Sequence, residues 1–471
     1  MHTPTGESSG LNQPGSERVT WYHWVVVVIA SFGWLFDCMD QRIFVLARES
    51  ALKALVPVEE VQGSVSELDP AEQEQAVIAA RDKLVKNWAG WATAIMMIGW
   101  ATGGIFFGTK SDRWGRVKTM IATLVVYSGF TGLSGFSRSP EEFMIYRFLV
   151  GLGVGGMFGA ATTLVAESVP SSIRAVALGM LQALSAIGNI LGSIFTRFVQ
   201  PGAEDVAFGF DGWRLVFFIG IIPSLLVIPI IFILREPDRW KEARRRAREH
   251  GDDASKQMGS IPDLFRHPTW RRHTLVGVTL GLSGMAGLWG IGFFSPELIT
   301  AALKGEPQAV IDTVRAWGLA LQDVGAFFGM VAFTFVATRF GRKPAFFIAY
   351  LLCLATTMYV FNFLRSGSDA YWMLPMMGFA QLSVFGGYSI YFPELFPTRL
   401  RGTGVSFCYN TVRYLAAGFP PMLMALNSML IDMEVEEPFR KAATYMCAIF
   451  ALGLFALIWA PETKGRPLPE D

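Results

Sequence analysis

Asp37, Asp40 and Arg42 stand in the middle of an apolar run, 21–47, within the stretch GWLFDCMDQRIF (33–44). An ionisable side chain at the centre of a bilayer costs roughly 2.5–3.5 kcal/mol on insertion scales, so a charge kept there calls for a partner or a task. Asp37 and Asp40 are three residues apart and share one helix face. Two carboxylates that close in a low dielectric disfavour joint ionisation, so one tends to hold a proton. That is the property of a proton carrier. Arg42 is a third partner for these acids or reaches outward to the interface. The same search through the other apolar runs finds Gln182, Ser185 and Asn189 in MLQALSAIGN, Gln322 and Asp323 in LQDVGAFFG, Gln381, Tyr388 and Tyr391 in QLSVFGGYSIY, and Tyr409, Asn410 and Arg413 in CYNTVRY. Buried Ser and Asn often only join helices. An arginine inside a span calls for an anion, here either Asp323 or a substrate carboxylate held by the planar guanidinium. The substrate-binding set expected is Gln182, Asn189, Asp323, Gln381, Tyr388, Tyr409, Asn410 and Arg413.

Helices crossing a membrane must position these groups. Only 17% of the 471 residues are charged, against about a quarter in a soluble domain. A span needs about 20 mainly apolar residues. Candidate runs near 22–46, 88–109, 117–136, 141–166, 174–198, 213–234, 272–297, 315–337, 344–364, 371–393, 403–427 and 440–460 predict an all-α membrane protein of about twelve helices. The expected organisation is a tail (1–21), a six-helix bundle (22–234) with a long outer connection (48–86), a basic linker (235–271), a second six-helix bundle (272–461) and a tail (462–471). The second half of that connection, DPAEQEQAVIAARDKL, reads as a short surface helix. Basic residues in KSDRWGRVK (110–118), REPDRWKEARRRAREH and RFGRK (339–343) fall on one side with both termini, which the positive-inside rule makes cytoplasmic.

Composition and motif also exclude classes. The net charge of +1 points to no nucleic-acid partner. The five histidines form no ligand pair, and no metal, cofactor, nucleophile motif or phosphate loop is implied. GLGVGG (151–156) lies inside an apolar helix, where small residues let helices approach closely. The cysteines Cys38, Cys353, Cys408 and Cys447 read as small core residues.

The sequence repeats internally. ESVPSSIR (167–174) matches ELFPTRLR (394–401), DRWGRVK (112–118) matches TRFGRK (338–343), and REPDRW (235–240) loosely matches PETKGR (461–466), all in the same order and nearly the same register. Two related six-helix halves suit a transporter with its site at the bilayer midplane. GTKSDRWGRVK resembles the loop between the second and third helices of the major facilitator superfamily. YRFLVGLGVGG (146–156) resembles its fourth-helix motif, and YFPELFPTRLRGTG with PETKGRPLPE resembles its sugar-porter branch in the broad sense, which includes carriers of organic ions and aromatic acids. The resemblance implies cytoplasmic charge clusters that latch one side shut. Here they would be Asp112, Arg113, Arg116, Glu167, Arg174 and Glu236 in the first half, and Arg339, Arg342, Glu394, Arg401 and Glu462 in the second, where Thr338 replaces the acid.

DCMD also resembles the first-helix acid pair of aromatic-acid/proton symporters, Asp-Gly-x-Asp, with Cys38 in place of the glycine. Asp40 matches the first-helix Asp of bacterial sugar/proton symporters, whose partner is the Arg opening the fourth-helix motif, Arg147 here. The resemblance thus implies proton coupling by Asp37, Asp40 and Arg147. Ionised Asp40 pairs with Arg147, and protonation breaks the pair. The expected function is alternating-access transport, by a monomer in a bacterial inner membrane, of a small organic anion together with protons. The alternatives are a proton-coupled sugar symporter, an uncoupled facilitator and a non-transporting receptor. Gln182 favours sugar, but the seventh run lacks the Gln-Gln pair of sugar porters.

Overall fold

The computed structural model describes residues 18–57, 70–249, 257–416 and 418–470. Ten helical segments within them are long and apolar enough to cross a membrane, and Arg116–Ser134 and Gly367–Leu395 complete a set of twelve. In chain order the first half contains α1 Trp21–Leu55, α2 Pro70–Trp114, α3 Arg116–Ser134, α4 Pro140–Ser168, α5 Ser171–Val199 and a sixth span, broken at Pro223, made of α6 Gly212–Ile219, a 3-10 turn and α7 Val227–Ile233. The linker carries α8 Asp238–Glu249 and α9 Asp263–Arg266. The second half contains α10 Pro268–Gly290 with α11 Ser295–Ala302, then α12 Gln308–Arg339, α13 Arg342–Phe363, α14 Gly367–Leu395, α15 Arg401–Ala416 with α16 Phe419–Asp432, and α17 Pro438–Met446 with α18 Ile449–Trp459. Short polar caps start several of them. Ser139 accepts from the Glu142 N–H (3.2 Å) ahead of Pro140, and Ser366 forms a capping box with Asp369.

The described residues of the connection expected over 48–86, 48–57 and 70–86, are largely helical; the first residue of the expected surface helix, Asp69, lies outside them. α1 runs on to Leu55, and α2 begins at Pro70 and continues into the membrane span, so the expected surface helix is the outer end of α2. Alanine and straight-chain residues there propagate the helix outward past the apolar segment.

The halves pack alike. α1 lies on α5 and α2 on α4 in the first, while α10 lies on α15 and α12 on α14 in the second. The halves meet mainly along α2 with α15 and along α5 with α12, which are each other's repeat equivalents. GLGVGG sits in the α2–α4 contact, where a Cβ on Gly155 would come within 2.0 Å of the Trp100 carbonyl. The four cysteines are buried and unbridged.

Candidate functional site

Between the halves lies a cavity of about 380 Å³. Gln41, Arg42, Val45 and Arg48 reach it from α1, and Ser185, Ala186 and Asn189 from α5. Leu288, Trp289 and Glu297 line it from the α10–α11 span, and Leu319, Gln322, Asp323 and Met330 from α12. The spacing 42, 45, 48 on α1 and 185, 189 on α5 follows the helical repeat, so each helix offers one face. The cavity combines an apolar wall, one indole and a few convergent polar groups, the usual make-up of a small-molecule site.

Three charged residues of α1 stand in three different settings. Arg42 forms an ion pair with Asp323 across the cavity, joining the two halves. Asn189 is a second hydrogen-bond partner of Asp323. Asp37 accepts from Gln41 Nε2 (3.3 Å), and the cation acting on it is Arg413 from α15. Asp40 is completely buried beside Thr131, and neither of its oxygens has a hydrogen bond of good geometry.

Arg147 is the cation acting on Asp40, but it makes no ion pair with it in this structure. Its Nε and Nη2 donate to Ser134 Oγ (3.1 and 2.6 Å), and its guanidinium lies among the rings of Phe44, Phe143 and Phe217, 4.9 Å from the last. A serine hydroxyl and three aromatic faces thus hold Arg147 in the pair's place.

The expected substrate set divides into three. Asn189 and Asp323 line the cavity, where Ser185 and Gln322 join them. Tyr409, Asn410 and Arg413 are buried on α15 and are not among the lining residues. Tyr409 stacks on Phe158 at 3.8 Å, Asn410 Nδ2 donates to the Gly155 carbonyl (3.3 Å), and Arg413 lies 3.5 Å over the Trp100 ring. The remainder is committed to packing or stands behind it. Tyr388 donates to the Leu280 carbonyl (2.7 Å), Gln381 donates to Thr357 Oγ1 (3.0 Å), and Gln182 is buried one turn before Ser185. Asp323 pairs with Arg42, so it is not the anion facing Arg413. Reading each run alone could not find the Arg42–Asp323 pair, because its members are 281 residues apart. The 42/45/48 spacing was the one available hint that Arg42 and Arg48 share a face.

At the opposite end, where the basic loops gather, the repeat becomes geometry. Arg116 makes a bidentate pair with Glu167 (both 2.9 Å) and donates Nη1 to the Ser111 carbonyl (2.8 Å). Arg342 does the same with Glu394 (3.0 and 2.6 Å) and the Ala337 carbonyl (3.0 Å). Glu236 and Glu462 cap the N-termini of α3 and α13 through the N–H groups of Arg116 (2.7 Å) and Arg342 (2.9 Å). Gly115 and Gly341 make these turns with φ of 123° and 117°. A Cβ on either would stand 2.2 Å from Glu236 or 2.7 Å from Glu462, so glycine is required twice over. Burial pushes the Glu462 carboxyl up, but the backbone N–H groups of Arg342, Lys464, Lys343 and Thr463 outweigh it and hold the group below its usual range.

Two gate residues, Arg401 and Arg113, stand elsewhere than expected. Arg401 joins the first cluster, where Nη1 meets Glu167 at 2.6 Å. Arg113 meets no acid there; it donates to the carbonyls of Met258 (3.0 Å) and Gly259 (3.3 Å) in the linker. Arg339 offers its carbonyl to Lys464 Nζ (2.7 Å). Arg174 is buried at the start of α5. Asp112 crosses between halves and accepts from the N–H groups of Gly402 (2.9 Å) and Thr403 (2.8 Å) and from Thr403 Oγ1 (2.6 Å). In this structure the basic-loop end is therefore shut.

Comparison with known proteins agrees with this architecture. The chain is similar to the cis,cis-muconate transport protein of Acinetobacter baylyi, 26% identical over 77% of this chain and 83% of that one. It is also similar to the niacin transporter NiaP of the same organism, 24% identical over 95% and 96%. Among solved structures, the proton:xylose symporter XylE bound to 6-bromo-6-deoxy-D-glucose superposes with a TM-score of 0.71 at 20% identity, covering 95% of this chain and 98% of that one. The profile of the Major Facilitator Superfamily matches residues 73–421, and the chain, an integral multi-pass membrane protein, belongs to that family of transporters.

Proposed function

We propose that this protein carries a small organic acid across a bacterial inner membrane together with protons, by alternating access. The observation that carries the reading is a cavity shared by both halves, crossed by the Arg42–Asp323 pair, with two buried carboxylates on the helix that supplies Arg42. A guanidinium in a largely apolar cavity suits a carboxylate, and Trp289 supplies an aromatic face. The names of the relatives that transport muconate and niacin, both carboxylic acids, support the same class. The lining draws on both halves of a single chain, and we read the carrier as a monomer.

The positive-inside rule sets the basic-loop end, with both termini, in the cytoplasm. The cavity then faces outward while the clusters of Arg116, Glu167, Arg401 and Asp112 hold the inner side closed. An ionised carboxylate without hydrogen bonds is costly in so apolar a site; a proton on Asp40 removes that cost and leaves Arg147 to Ser134. Return of Asp40 to the ionised state restores its attraction for Arg147. One charge crossing 100 mV supplies about 2.3 kcal/mol, and one pH unit about 1.4 kcal/mol.

Uptake into proteoliposomes under an imposed pH gradient tests the reading, with benzoate, nicotinate, cis,cis-muconate and hexoses compared. Accumulation of the acids, abolished in Asp40→Asn while exchange across the membrane persists, is expected. Uptake of hexoses alone would overturn the substrate class. Pumping by Asp40→Asn would overturn the coupling role.

A further inference from the structure

The carboxylate that most directly meets an incoming anion is not in the buried acid pair. Asp37 and Asp40 are sealed at 0% exposure, whereas the Asp323 side chain keeps 17% and that of its partner Arg42 21%, on the wall of the cavity. Of these three carboxylates, Asp323 is the one that water in the cavity reaches in this structure. The charged groups sharing the cavity with Asp323 are Arg42 and Arg48 on α1 and Glu297 on α11, while α5 and α14 contribute only the neutral Ser185, Ala186, Asn189 and Leu382. Arg48 Nη1 is bonded to Thr93 (2.7 Å), and the cation acting on Glu297 is Arg315. Arg42 is thus the cation for which Asp323 and an arriving carboxylate would compete.

The geometry points to Asp323 as the proton acceptor linked to substrate binding: the substrate carboxylate takes Arg42 from Asp323, and Asp323 takes a proton from the cavity water. This rests on the organic-acid reading above. In the step, the Arg42–Asp323 ion pair breaks, an Arg42–substrate pair forms, and one O–H bond forms on Asp323. The anion and the proton enter together, so the charge of the site is unchanged. The physical cause is that the losing carboxylate, left in a low dielectric without its cation, is stabilised by protonation. Asn189, a hydrogen-bond partner of Asp323, is placed to receive a hydrogen bond from the neutral acid through its amide oxygen. Arg42–Asp323 also bridges the halves on the side opposite the latch, so the swap releases a contact between them at the moment substrate arrives.

The test is acid binding to purified protein by titration calorimetry from pH 5 to 8, with benzoate, nicotinate and cis,cis-muconate as probes. Wild-type Kd is expected to rise about tenfold per pH unit on the alkaline side, the slope for one coupled proton. Asp323→Asn should bind more tightly at pH 8 and lose that slope, and Asp323→Glu should regain it. Because a variant can fail to fold, wild-type protein in weak buffer with a pH indicator provides a second reading, about one proton taken up per anion bound. Wild type that binds an acid without proton uptake, or Asp323→Asn that keeps the full slope, overturns this role and leaves the organic-acid reading standing. Wild type that binds none of the acids and transports only hexoses overturns both.

Discussion

The two charge clusters at the basic-loop end share one local design and differ in what they connect. In each, an arginine opens a helix, grips a glutamate in bidentate fashion, bonds a carbonyl five residues back and offers its N–H to an acid arriving from the end of the half. The first cluster then crosses to the other half. Glu167 takes Arg401, Arg116 Nη2 donates to the Thr398 carbonyl (2.8 Å), and Asp112 caps the start of α15. In the second, the bonds described for Glu394 and Thr338 run within its own half. Glu394 takes Thr463 of its own half (2.6 Å), and Thr338 bonds carbonyls of its own helix. By the repeat, Gly402 and Thr403 correspond to Ala175 and Val176 on α5; Thr403 is buried and offers Asp112 a hydroxyl, whereas Val176 is exposed and has none. The carboxylate at position 112 therefore ties the two halves together, whereas the hydroxyl at the equivalent position 338 bonds only its own helix.

The sharpest way to break this comparison is Asp112→Ala. It removes three cross-half hydrogen bonds to a carboxylate, each of a kind worth about 1.5–3 kcal/mol, and their loss falls on the closed state, while Arg116 keeps Glu167. Spin labels at Lys118 and Arg339 should report the basic-loop ends moving apart in most molecules; an unchanged distance distribution would reduce the latch to packing. Arg342→Ala leaves a buried glutamate without its cation, but within one half. Its expected signature is lower thermal stability of the whole protein with the Lys118–Arg339 distance kept, and a separation as large as that of Asp112→Ala would erase the distinction. The smallest effect belongs to Thr338→Asp. It supplies the missing acid, but opposite a solvated helix start, where a charge at the dipole is worth about 0.3–1 kcal/mol. The closed population should rise slightly, and a fall would mean that the second half cannot accept a latch at all.

Sequence reading found much of the cluster chemistry because motif residues lie close together in the chain. Asp112 and Arg116 are one helical turn apart, and the glycine between them signals the turn. It misplaced Arg401, which was grouped by repeat position with Glu394 although it reaches across to Glu167. It also put Tyr388 and Gln381 in the site as polar groups on apolar spans, when both bond within the second half. Nothing in a hydropathy pattern says which side of a buried helix faces the cavity rather than a neighbour.

The chain by itself determined the number of spans, the repeat, the family and the fact that α1 carries charge at its centre, since hydrophobic length and local motifs express these without reference to distant residues. Only the tertiary structure decided the pairings. Arg42 meets Asp323, Arg413 lies over Trp100, Arg147 leans on Ser134 beside an unbonded Asp40, and Asp112 alone of the repeated pair bridges the halves. The reason is physical. A charge buried by helices from both halves takes its partner from whatever the packing of those helices brings near, and that choice is set by contacts hundreds of residues apart in the chain.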